Sequence, residues 1–204
     1  MGTSRLEAFS DGVIAIIITI MVLELKAPSD SSFAALRPLV PMLLAYVLSF
    51  VYLGIYWNNH HHMLHAARTV TGGILWANLH LLFWLSLIPV TTAWLDSSHA
   101  AAAPAATYGF VLLMAAIAYW ILQQRIIAAQ GPGSVLREAV RGDWKGKSSP
   151  VLYALAIVVA LRWPAGSIAI YALVALIWLV PDRRIERALT RSTDKSLNRP
   201  SVDR

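Results

Sequence analysis

Long apolar stretches alternate with short polar segments along the chain, and this pattern predicts an all-helical, polytopic membrane protein. The hydrocarbon core of a bilayer is about 30 Å thick, so a helix needs about 20 predominantly apolar residues to cross it. Six predicted spans follow: residues 6–25, 39–60, 70–95, 104–128, 149–163 and 165–180. The last two are short, and we expect them to form a tight helical hairpin turning near residues 163–166. Pro89 is expected to kink the third span.

The composition also fits a membrane protein. Hydrophobic residues make up 57% of the 204 residues and charged residues 14%, and the mean hydropathy is +0.58, values that a water-soluble domain rarely reaches. The chain has no cysteine, which excludes disulfide frameworks, thiolate zinc sites and cysteine nucleophiles. A net charge of +6 would suggest nucleic acid as a partner of a soluble protein. In a membrane protein it mainly reflects topology, so we expect no nucleic-acid partner.

Positive charges accumulate on one side of the predicted spans. An even number of spans puts both termini on the same side, and 14 of the 17 Lys and Arg residues lie there. Only Lys26, Arg37 and Arg162 lie on the other side. The positive-inside rule therefore predicts that both termini are cytoplasmic, in a multi-pass protein of the inner (plasma) membrane.

The two ends of the chain are predicted to differ in character. The first span contains Asp11 and is not followed by a small-residue cleavage site, so we expect it to be retained rather than removed as a signal peptide. We expect residues 1–181 to form one transmembrane domain. Residues 182–204 form a polar, basic tail that we expect to be partly disordered.

The first span has two chemically different faces. At 100° per residue, an apolar stripe runs along one side, with Thr19 just beside it. This α1 stripe consists of Phe9, Val13, Ile16, Ile20 and Leu23. Ser10 and Asp11 point away from it. Periodicity alone leaves open whether the stripe meets lipid or another helix, and whether Asp11 is only an interfacial residue near the headgroups.

Histidines are concentrated at the end of the second span, in His60, His61, His62 and His65. His61 and His65 have i, i+4 spacing, which can hold a metal or haem on one helix face, and His80 of the next span could join them. No carboxylate lies nearby in the sequence and no Glu-x-x-His pattern occurs. Hydrogen bonding between spans explains these histidines adequately, so we expect no metal and no cofactor.

Several common functional motifs are missing from the sequence. It contains no Gly-Tyr-Gly carbonyl filter, no nucleotide-binding loop and no Ser-His-Asp pattern in a plausible context. A ring of intramembrane carboxylates suited to a proton-coupled carrier is absent too. We therefore expect a protein without enzymatic activity.

The segment Arg5-x-x-x-Phe9-Ser10-Asp11-Gly12-Val13-x-Ala15-Ile16-x-x-Thr19-x-x-x-Leu23-Glu24-Leu25 resembles the transmembrane protein 175 family of potassium channels, in its single-repeat prokaryotic form. Residues 57–65 and 78–89 are similar to the second and third spans of that family. The resemblance covers at least residues 5–95, whereas the later half of the chain matches by architecture only.

The resemblance implies a homotetramer in which the first spans of four subunits surround one central pore. The narrow apolar rings of the family fall on Ile16, Ile20 and Leu23, and Thr19 contributes a hydroxyl ring implicated in cation preference. A hydrogen-bond network is implied to hold the pore helix. Its members are Arg5, Phe9, Ser10 and Asp11, with Trp57, His61, Asn78 and His80 from the second and third spans.

These observations lead to the hypothesis of a channel in the lipid bilayer that is permeable to potassium and other monovalent cations. Because an apolar ring can gate by dewetting and offers no fixed cage of oxygens, we expect only a modest preference for potassium over sodium. Two alternatives remain at this point. One is a metal- or haem-binding membrane protein built on the histidine cluster with His80, and the other is a proton-coupled carrier that uses Asp11.

Overall fold

In a computed structural model, the described part of the chain is all helical, as predicted. It comprises residues 2–28, 30–67, 69–131, 134–140 and 142–179, so the predicted tail lies outside it. The helices are α1 (Thr3–Leu23), α2 (Val40–His65), α3 (Gly72–Ser86), α4 (Ile88–Ser97), α5 (Ala102–Gln130), α6 (Val135–Val140), α7 (Trp144–Ala160) and α8 (Pro164–Leu179). A 3₁₀ turn over Phe33–Leu39 precedes α2.

Four helical segments are long and apolar enough to cross a membrane: Thr3–Leu23, Phe33–His65, Gly72–Ser97 and Ala102–Gln130. They coincide with the first four predicted spans. The helices α7 and α8 have 17 and 16 residues, and α8 is apolar but shorter than the other four. The predicted hairpin is present, because α7 and α8 pack together and α8 begins at Pro164.

The third span is interrupted near Pro89, where the sequence predicts a kink. α3 ends at Ser86, and α4 begins at Ile88 with Pro89 in its first turn. Proline has no N–H to donate and its ring crowds the carbonyl of the residue four positions earlier, so the α3 hydrogen-bond ladder cannot continue through this position. The span therefore consists of two helices, α3 and α4, joined at Leu87.

α7 begins earlier than the predicted fifth span, at Trp144 rather than at 149. The reason is a cap: the Asp143 carboxylate accepts a hydrogen bond of 2.9 Å from the backbone N–H of Gly146. Such a cap satisfies a free donor at the helix start and stabilises the helix by about 1 kcal/mol. α7 also ends at Ala160, before the predicted residue 163.

Most of the core is built around α5, which contacts α3, α4, α7 and α8. Tyr171 of α8 donates from its hydroxyl to the carbonyl of Ala105 on α5 at 3.0 Å, and its own carbonyl accepts from Tyr52 of α2 at 2.6 Å. Gly109 lets α5 approach the Tyr171 ring so closely that a Cβ atom would collide with it. By contrast, α1 packs against α2, α3 and α4.

Candidate functional site

α1 has one buried and one uncovered face. The buried face carries Leu6, Ser10, Ile14, Ile17 and Met21. The α1 stripe lies on the other side: Phe9 is 49% exposed, Ile16 58%, Ile20 44% and Leu23 82%. Val13 is half-buried at the stripe's edge. A continuous apolar surface on α1 is thus left without cover by the rest of the described subunit.

Thr19 lies beside this surface and is exposed. Its hydroxyl donates to the Ile16 carbonyl at 2.9 Å, one turn earlier in the same helix. That bond uses the only hydrogen of the hydroxyl and leaves oxygen lone pairs free to accept. Thr19 therefore offers an acceptor next to the α1 stripe.

A directional chain of hydrogen bonds fixes the buried face of α1 to α2 and α3. Asn78 of α3 donates from Nδ2 to the Ser10 hydroxyl at 2.9 Å, and Ser10 donates to the Leu6 carbonyl at 2.9 Å. The Asn78 Oδ1 atom lies 2.7 Å from His60 Nε2 of α2. Since that oxygen can only accept, His60 carries its proton on Nε2. All three side chains are fully buried.

Asp11 holds α1 to α2 at a second point. The Trp57 indole N–H donates to Asp11 Oδ1 at 3.0 Å. The same indole is stacked against His61, with ring centroids 6.3 Å apart and planes 29° apart. Trp57 thus links Asp11 of α1 to the histidines at the end of α2.

His61 meets a residue that the sequence reasoning did not select. Its Nδ1 lies 2.6 Å from Oε1 of Glu7, and His65 Nε2 lies 3.4 Å from the same oxygen. Glu7 is four residues before Asp11 and therefore on the same side of α1, which is the signal that would have identified it. The histidine bonded to Asn78 is His60, which the sequence suggests only as a ligand in the metal alternative.

The remaining predicted residues lie apart from these contacts. His80 accepts from the Trp84 indole at 2.9 Å within α3 and is not part of the group that His61 and His65 form with Glu7, although the metal alternative allowed it to join them. Arg5 and Phe9 are exposed, and within the described residues their side chains form no hydrogen bond or ion pair. Both lie on the uncovered side of α1, where a neighbouring molecule could meet them.

A family model described as "Endosomal/lysosomal potassium channel TMEM175" matches residues 5–89. A protein named as a potassium channel in Chryseobacterium sp. (strain P1-3) is 57% identical over 189 residues, which are 93% of this chain and 98% of that protein. The human endosomal/lysosomal proton channel TMEM175 is 36% identical over 83 residues, covering 35% of this chain and 16% of that protein.

A solved structure is also similar to this chain. It is the crystal structure of a lysosomal potassium-selective channel TMEM175 homolog from Chamaesiphon Minutus. Its TM-score to this chain is 0.77 and its sequence identity 26%, over 88% of this chain and 97% of that one. The matched region of the family model, residues 5–89, includes every contact of Glu7, Ser10 and Asp11 described above.

Proposed function

The chain belongs to the TMEM175 family of endosomal/lysosomal potassium channels, and we propose that it conducts potassium ions across a membrane. The 57% identical relative is named a potassium channel, and the similar solved structure is described as potassium-selective. These relatives are named channels rather than enzymes, which supports a non-enzymatic function and does not favour a metal- or haem-binding protein as the main role. Four long apolar helices support a multi-pass membrane protein.

The ion path is proposed to run along α1. The observation that carries this proposal is the uncovered α1 stripe. The opposite side of α1 makes the polar contacts to α2 and α3, through Glu7, Ser10 and Asp11. The stripe is therefore free to face other copies of the same helix. One stripe cannot enclose an aqueous path, whereas a closed ring of identical subunits can. We propose a homotetramer in which Ile16, Ile20 and Leu23 form successive constrictions.

The constrictions are proposed to gate by dewetting. Where the bore is too narrow for a hydrated ion, water leaves the apolar ring and the ion meets a large desolvation barrier. Tilting or separating the helices lets water return. Thr19, one turn from Ile16, places an oxygen acceptor beside the ring, which supports a role in cation preference. With no Gly-Tyr-Gly filter in the sequence, the expected preference for potassium over sodium is modest.

We propose that the subunit has six spans, of which α7 and α8 form a short hairpin. The protein is proposed to lie in the inner membrane of the cell, with both termini in the cytoplasm. The distribution of Lys and Arg supports it. Arg5, exposed at the start of α1, then lies at the cytoplasmic end of the pore helices, where it can contact a neighbouring subunit.

Potassium flux from liposomes tests the channel function. Tag-free protein in potassium-loaded vesicles is expected to release potassium faster than protein-free vesicles and to conduct sodium more slowly. Folded protein that passes protons but no potassium would contradict the proposal and favour the activity for which the human relative is named. A mass measurement that finds only active monomers in detergent and in lipid would contradict the tetramer.

Ile16→Asn tests the constriction. Asparagine has nearly the same volume but binds water, so a ring of four should stay wet, raise cation flux severalfold and weaken the preference for potassium. Val22→Asn is the matched control, because Val22 is also exposed, at 46%, but lies on another side of α1. Unchanged currents for Ile16→Asn in folded tetramers, or an equal effect of Val22→Asn, would place the ion path elsewhere.

A further inference from the structure

Three metal-binding side chains meet where the start of α1 touches the end of α2. Glu7 of α1 faces His61 and His65 of α2, and the three candidate ligand atoms all lie within 4.8 Å of one another. We propose that these side chains bind a divalent transition-metal ion, with Zn²⁺ as the ion best suited to the donors. This site is independent of the proposed function, because it can be occupied whether or not the protein conducts ions.

The distances require only a small rearrangement. A tetrahedral ion with bonds of about 2.1 Å holds its ligand atoms about 3.4 Å apart. His65 Nε2 and Glu7 Oε1 are already 3.4 Å apart. His61 Nδ1 and the same oxygen are 2.6 Å apart, a hydrogen-bond length that must open by roughly 0.8 Å for an ion to enter. Rotation of the half-buried His61 or Glu7 side chain can provide this movement.

The donor chemistry selects the ion. Two imidazoles and one carboxylate form a common set for Zn²⁺, whereas Ca²⁺ and Mg²⁺ prefer oxygen ligands throughout. His61 and His65 are one helical turn apart, so both rings reach the same side of α2. The side chains are 39%, 55% and 18% exposed for His61, His65 and Glu7, which gives the ion a route in and leaves a fourth position for water.

Neighbouring residues hold the site in shape. Trp57 stacks against His61 and is itself held by Asp11, so the ring of His61 is supported by a neighbour on its own helix. Such outer contacts orient ligands and raise metal affinity. No carboxylate is near these histidines along the chain, which is why the sequence alone does not predict a metal site here. The fold supplies one from α1, and an ion bound there would join α1 to α2.

Zinc binding to tag-free protein tests the site. We expect equilibrium dialysis at neutral pH, followed by metal analysis, to give one Zn²⁺ per subunit, not displaced by an equal concentration of Ca²⁺. His65→Ala and Glu7→Gln are each expected to weaken binding about tenfold or more. His65 is exposed and Glu7→Gln keeps the side-chain shape, so both variants are expected to fold. His62→Ala, which removes a neighbouring histidine outside the cluster, should bind zinc as the wild type does.

X-ray absorption of the zinc-loaded protein gives a second measurement, with an expected first shell of nitrogen and oxygen that loses imidazole scattering in His65→Ala. The absence of stoichiometric zinc on the wild type would overturn the proposal. Equal affinities of wild type, His65→Ala and Glu7→Gln would also overturn it, as would a loss in His62→Ala as large as that in His65→Ala.

Discussion

Asn78 is expected to be the side chain whose loss most weakens the attachment of α1 to the rest of the subunit. Its amide joins three helices, because Nδ2 donates to Ser10 of α1 and Oδ1 accepts from His60 of α2. Both partners are fully buried. Asn78→Leu keeps a similar volume and removes both hydrogen bonds at once.

The size of the effect follows from these contacts. Side-chain hydrogen bonds between membrane helices contribute about 0.6 kcal/mol on average and up to about 1.7 kcal/mol. Asn78→Leu removes two of them and leaves the N–H of His60 buried without its partner, which costs about 1–3 kcal/mol more. We therefore expect the free energy of unfolding to fall by about 2–6 kcal/mol. Ser10→Ala removes one interhelix bond and leaves the Asn78 Nδ2 donor buried without this partner, so it should cost less, about 2–5 kcal/mol.

Reversible unfolding in mixed micelles, followed by tryptophan fluorescence, measures these differences. The control is Ser86→Ala on the same helix, because the Ser86 hydroxyl is exposed and, among the described residues, bonds only to the Phe83 carbonyl of its own helix. It should change stability by less than about 0.5 kcal/mol. Because Ser10 and Asn78 share a bond, the double variant should lose less than the sum of the single losses. A loss for Asn78→Leu no larger than that for Ser86→Ala would refute this reasoning.

Two further outcomes are expected. Asp11→Ala should lower the free energy of unfolding by about 1 kcal/mol, because the hydrogen bond from Trp57 is lost. The ratio of potassium to sodium flux should stay that of the wild type, since Asp11 lies off the α1 stripe. An inverted ratio would mean that the faces of α1 are misassigned. Gly109→Ala should lower the thermal unfolding temperature because its methyl group meets Tyr171, whereas Gly54→Ala, which opens onto free space in α2, should leave it unchanged or raise it. Equal temperatures for both variants would argue against the close approach of α5 and α8.

The sequence carries enough information to predict the faces of α1. Helical angles separate Ile16 and Leu23 from Ser10, and the structure places them on the uncovered and buried sides respectively. The lengths of the apolar runs predict the four long helices, and Pro89 predicts a kink in the third span, because hydrophobic length and a missing N–H are local properties. The roles of these residues in a pore and its selectivity remain predictions.

Partners across helices are less predictable. His60 and His61 are adjacent in an all-histidine tract, and which of them is buried depends on how α2 rotates about its axis against α1 and α3. That rotation is set by packing along the whole bundle, so the sequence alone could not choose between them. The pairing of Glu7 with His61 depends in the same way on the relative height of two helices.

The polar contacts of α1 lie near one end of the helix, so α1 can tilt about that end. Within the described residues, every side-chain hydrogen bond or ion pair from α1 to another helix comes from Glu7, Ser10 or Asp11, near the start of a helix that ends at Leu23. Between these residues and Leu23, apolar packing alone holds the described part of α1 against the other helices. Leu23 is about 20 Å along the axis from Ser10, so a tilt of about 10° about Ser10 carries it roughly 3.4 Å sideways. A small angular movement near the start of α1 thus becomes, at Leu23, a displacement larger than a water molecule.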